Sequence, residues 1–385
     1  MAVFRVPVAP AVLRWAAERS GRPPEDLEHR FPELEAWERG DRQPTFHQLE
    51  QFAQATFTPF GSFFLAEPPV DKVPIPDFRT VGNHQVDHPS PDLLETIFIC
   101  EQRQEWYRQH ALISGAEPLP FIGSATVDGP VVETADRIRE VLQFTDRDRA
   151  QDANWSEALR RLIDSAEEAG ILVMVSGIVG NNTHRVLDPG EFRGFALSDP
   201  LAPLVFVNGA DTKAAQIFTL IHEVCHLWLG QSALTDATMR RADGNAIELW
   251  CNQVAAEVLV PLAALRSDYR GAVSTEELDR LARMYKVSTL VVLKRIFDAD
   301  LLDWDAYRAA YDEELSRVMA LLAQQRKTPG GNYYNTQPLR VSRRFARALI
   351  NDTKSGRTLH RDAFRLLGTR KHETFVRLGE QVGVA

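Results

Sequence analysis

Cysteine is scarce in this sequence. Cys100, Cys225 and Cys251 are the only three, too few for a disulfide framework, so a reducing, cytoplasmic setting is expected. Long apolar runs are missing too. None approaches the roughly 20 residues needed to span a bilayer. Residues 1–7 lack the apolar stretch of a secretory signal. There is no internal repeat and no glycine-rich loop of the kind that cradles phosphate. These absences argue against a membrane carrier, a small secreted scaffold and a repeat array. What is present is ordinary for a globular chain: 25% charged and 44% hydrophobic residues. Its 385 residues leave room for two or three domains.

Against this background one stretch stands out, His222-Glu223-Val224-Cys225-His226. In a helix, residues four apart lie only about 40° apart and one turn above each other. Both imidazoles can therefore face one metal ion. Glu223 follows His222 by roughly 100°, beside the ion rather than on it, where a general base for a bound water has to be. The lead-in supports a helix. Asp211 can cap it, Ala215, Phe218, Leu220 and Ile221 give it an apolar side, and Gly230 ends it.

A catalytic zinc site usually has three protein ligands. Glu248, on a second amphipathic segment ended by Pro261, is the best third ligand, and small Ala255 and Ala256 allow close helix packing. Glu257 is the competitor. It lies nine residues on, about half a turn around, and faces away if Glu248 faces the metal. Cys225 and Cys251 read as buried small side chains rather than ligands. Zinc suits the donor set best, with Mn²⁺ or another divalent ion as the alternative.

The motif, followed by Glu248-Leu249-Trp250-Cys251-Asn252 and Ala255-Ala256-Glu257-Val258-Leu259-Val260-Pro261, resembles the ImmA/IrrE family of bacterial metallopeptidases. The resemblance covers residues 155–302 and includes three expected strands, at 170–174, 195–198 and 203–208. It implies a thermolysin-like site with His222, His226 and Glu248 as ligands and Glu223 as base. It also implies cleavage of an XRE-class repressor, in stress response or mobile-element regulation.

Charge is uneven. Residues 1–70 carry seven Arg against ten Asp or Glu. Residues 326–385 carry thirteen Lys or Arg against four acids, a net of +9. The whole chain is −9, which leaves −18 for residues 1–325. The basic end can meet nucleic acid or pack on the acidic body, and packing is favoured. Residues 37–45 resemble an XRE helix-turn-helix signature, with Thr45 as a cap. The stretch expected to hold the recognition helix is short, acidic and broken by Pro32, so a protein partner is favoured over DNA. A second helix-turn-helix-like stretch, 274–297, has apolar positions Leu278, Leu281, Val287, Val291, Val292 and Ile296, read as core.

The expectation is an α+β, mainly helical multidomain chain with a small-sheet metallopeptidase core. Its parts are a degenerate XRE-like domain (1–70), a helical connector (71–150), the peptidase domain with a helical extension (151–325) and a basic helical domain (326–385). The expected activity is metal-dependent endoproteolysis of one or a few regulatory proteins. A regulatory binding component of toxin–antitoxin or phage-defence type, with a structural or vestigial metal site, is the alternative. His184, Arg193 and Tyr269 are candidate transition-state donors. Asn208 ends a strand whose edge could hold an extended substrate.

Overall fold

The computed structural model describes residues 4–70, 72–76, 80–81, 84–85, 89–145, 152–235, 245–324 and 333–384. The chain divides into two compact units, Met1–Pro74 with Gln85–Ile97, and Ile75–His84 with Phe98–Ala385.

The first unit holds four short helices: α1 (Pro10–Arg19), α2 (Pro24–Arg30), α3 (Leu34–Arg39) and α4 (Phe46–Ala55). Proline opens α1 and α2, where a missing amide hydrogen costs nothing. Gly40 ends α3 at φ 80°. Thr45 caps α4 in a reciprocal capping box with Gln48. Trp37 is buried against Phe31 and Phe52 in a core that includes Leu13, Leu27 and Leu49.

The second unit is built around a four-stranded sheet. Three helices come first, α5 (Pro91–Ile113), which enters this unit from Phe98 onward, α6 (Val131–Val141) and α7 (Trp155–Glu168). The strands are β1 (Leu172–Ser176), β2 (Gly194–Leu197), β3 (Leu204–Asn208) and, after α8 (Lys213–Trp228), β4 (Ala233–Thr235). Their spatial order is β1-β3-β2-β4, with β1 and β3 parallel and the other pairs antiparallel. Every residue of β1 and β3 is buried, and all but the terminal Ser176 and Asn208 are apolar, the mark of strands covered on both faces. Val173, Val175, Val205 and Val207 join the core that includes α7 and α8. On the other face Met174 meets Cys100 of α5, sulfur to sulfur at 3.8 Å.

The chain continues through α9 (Ala246–Leu259), α10 (Leu262–Asp268), α11 (Thr275–Tyr285), α12 (Thr289–Asp298) and α13 (Trp304–Gln324). Ser274 and Ser288 cap α11 and α12. The six apolar positions read as core in this stretch are all buried.

Four helices end the chain, α14 (Tyr333–Val341), α15 (Arg343–Lys354), α16 (His360–Leu367) and α17 (His372–Gln381). They pack on the body of the second unit. Arg343 pairs with Asp164 at 3.3 Å, and Arg344 donates to the Glu167 carbonyl and the Tyr107 hydroxyl. Ser342, which caps α15, donates its hydroxyl to the Glu167 carboxylate. Buried Arg103 of α5 donates to the carbonyls of Leu366 and Arg340. Among the described residues, no single helix is long and apolar enough to cross a membrane.

Candidate metal centre

Helix α8 carries the histidine pair. Its cap is Thr212, whose hydroxyl accepts from the Ala215 amide, and not Asp211. Asp211 stands one residue outside, accepting from the Thr212 amide. The far end of α8 is clamped by another part of the chain. The amides of Gly123 and Ala125 donate to the carbonyls of Leu227 and Trp228, at 3.1 and 2.9 Å. Backbone crosses backbone there: a Cβ on Gly230 would stand 3.0 Å from the Gly123 Cα. The helix thus ends with its last carbonyls satisfied.

His222, His226 and Glu248 converge, all buried. The two Nε2 atoms are 3.2 Å apart, and each lies 3.2 Å from a Glu248 carboxylate oxygen. Tetrahedral coordination with bonds of about 2.0–2.2 Å puts ligand atoms roughly 3.3–3.6 Å apart. The three side chains therefore fit a divalent ion such as zinc, with a fourth direction left over. Their electrostatics without an ion agree with a site made for a cation. Burial pushes Glu248 up, but the two imidazoles outweigh it and bring the carboxyl down to about 2. Burial lowers His222, but Glu248 more than compensates and its pKa rises, with Asn252 as a further side-chain partner. Burial lowers His226, and the neighbouring His222 charge adds to that.

Glu223 is fully buried and stands outside the triangle. Burial raises its carboxyl to about 8, against the lowering effects of His222 and a Thr235 hydrogen bond. That bond comes from β4, where the Thr235 hydroxyl donates to Oε1. Gly194 of β2, registered opposite Thr235, leaves room for the side chain: a Cβ there would be 3.1 Å from the Glu223 Cγ. Neither Thr235 nor Gly194 is marked as a site residue by the sequence. Their tie to Glu223 arises only from strand pairing.

The remaining candidates separate. Glu257 turns away from the triangle and pairs with buried Arg295 of α12. Cys225 and Cys251 are buried outside the cluster, their thiols pushed far up by burial. His184 is exposed in a turn. Tyr269 follows the end of α10. Arg193 precedes Gly194 and pairs with Asp211 at 3.5 Å. The expectation for the Asn208 strand is corrected. β3 is internal, and Asn208 itself is consumed in donating to the Phe192 carbonyl and accepting from the Ala210 amide. The sheet edge near Glu223 is β4, too short to show a periodic pattern.

The family comparison gives two matches. Residues 341–381 match a domain of unknown function, DUF8813. Residues 166–297 match the Peptidase_M78 model, described as an IrrE N-terminal-like domain. No curated protein matches the chain. The second match contains α8, α9 and the whole sheet. An IrrE/ImmA-like domain is therefore present at residues 166–297, consistent with the general ImmA/IrrE family.

Proposed function

We propose that the chain is a metal-dependent endopeptidase whose substrate is a regulatory protein. One observation carries this reading: a three-ligand His222–His226–Glu248 triangle has a separate buried carboxylate, Glu223, beside it. A purely structural zinc site is normally closed by a fourth protein ligand and needs no such neighbour, which disfavours the regulatory-component alternative. His222, His226 and Glu248 would hold the ion, zinc by donor type, and the ion would supply Lewis acidity and lower the pKa of a water. Glu223 would accept that water's proton and return it to the leaving amine. Thr235 would keep one carboxylate oxygen engaged, aiming the other toward the reacting water.

The IrrE/ImmA-like domain occupies about a third of the chain, so the modules at 1–70 and 326–385 are available to recognise the substrate outside the scissile bond. An XRE-class repressor is the substrate that the resemblance suggests. Metal analysis and cleavage assays on purified variants test the reading. His226→Ala should lose most of the bound ion. Glu223→Gln should keep the ion and lose cleavage by about 10²-fold or more. Glu248→Ala should weaken ion binding far more than Glu257→Ala. Equal metal content in wild type and His222→Ala would refute the site.

A further inference from the structure

The outer edge of β4 is met by the chain's own Pro76. In the pairing of β4 with β2, Ala233 and Thr235 bracket Leu234, and the Leu234 amide points off the sheet. That amide donates to the Pro76 carbonyl at 2.9 Å. Ile75, next to it, is 9% exposed, whereas its neighbours Pro74 and Pro76 are exposed. One residue along β4, Thr235 holds Glu223. An edge strand is a template for an added strand, and this one ends beside the carboxylate assigned as base.

We propose that this edge, where the peptidase reading puts an extended substrate, is occupied in cis by Ile75 and Pro76 as a removable strap, which a substrate segment with a branched apolar residue beside a backbone acceptor displaces. The prolines make the strap removable. Pro74 and Pro76 have no amide hydrogen, so the strap accepts from the edge but cannot donate at those positions. A substrate segment with both groups pairs more completely and displaces it. Charge fits the same role. Lys72 is the one ionic residue within 72–76, so neutral backbone and Ile75 carry the contact.

This inference rests on the peptidase reading for the word substrate, but its test does not use cleavage. The zinc-loaded full-length Glu223→Gln protein is compared with the same protein carrying Ile75→Asp or Ile75→Ala, which remove the buried anchor of the strap. Amide hydrogen exchange at Leu234 should accelerate about tenfold or more in both strap variants, with exchange elsewhere in the sheet unchanged. A fluorescein-labelled peptide of residues 70–80 should bind them about tenfold or more tightly than the parent, because the open edge is no longer a minor population. If Leu234 exchanges at the parent rate in both variants, or the peptide binds all three proteins alike, the strap is refuted. If the edge opens and binds peptide while the wild-type chain cuts no protein, the peptidase reading falls and the docking edge stands.

Discussion

Glu223 depends on two residues that carry no acid, base or metal-binding group in their role. Gly194 gives it space, and Thr235 gives it a hydrogen bond. Gly194→Ala would place a methyl 2.6 Å from the Thr219 Cγ2 and 2.8 Å from the Phe206 carbonyl oxygen. We expect a stability loss of about 1–3 kcal/mol and a displaced Glu223, read as a lowered kcat at unchanged metal content. Thr235→Val keeps the volume and removes the donor. It should lower kcat about 10–100-fold with the ion retained, and an unchanged kcat would remove Thr235 from the site. The sequence shows the members of the triangle because helical spacing is local: His222 and His226 share a face by arithmetic. It does not show Gly194 or Thr235, because their place beside Glu223 depends on the register between strands about forty residues apart in the chain.

Among the elements, α9 divides its two glutamates between different tasks. Glu248 faces α8. Glu257 faces α12, where Arg295 pairs with it and also donates to the Val260 carbonyl at 2.9 Å. This buried tie fixes the C-terminal end of α9. Arg295→Ala leaves Glu257 buried without its partner and should cost about 3–5 kcal/mol of stability, measured by urea denaturation. Metal content per folded chain should be unchanged. A loss of the ion at full stability would instead assign Arg295 to the site. The caps at Thr45 and Ser288 are legible in sequence because a hydroxyl immediately precedes a helical apolar pattern. At α8 two polar residues compete, and Thr212 takes the cap because its hydroxyl reaches the Ala215 amide. Three of the four strands are legible as short apolar runs. β4 has three residues and carries no pattern that could announce it.

At the scale of the molecule, the charge split is put to use in packing. Basic residues at the start of α15 meet Asp164 and Glu167 of α7. Burial pushes the Glu167 carboxyl from an ordinary 4.5 up to about 7, despite hydrogen bonds from Ser342 and from the backbone at Arg344 and Arg343. The native state therefore binds this proton more tightly than the unfolded chain. Its contribution to stability is fully present below about pH 4.5 and is lost as pH rises to about 7, an amount of about 3 kcal/mol. Urea midpoints of wild type and Glu167→Gln should diverge across that window, with the shallower pH dependence in the variant. Parallel curves would show that Glu167 titrates normally. The clamp on α8 has a different consequence. His226 sits within the last turn of its helix, the part that would fray first, yet the amides of Gly123 and Ala125 hold the carbonyls just beyond it. That hold is made of backbone alone and does not draw on any ion. On the proposed reading, uptake and release of metal then become ligand exchange that leaves the end of α8 in place. Occupancy should track the free-ion concentration of the surroundings, so that metal supply would set the active fraction of the protein without unfolding it.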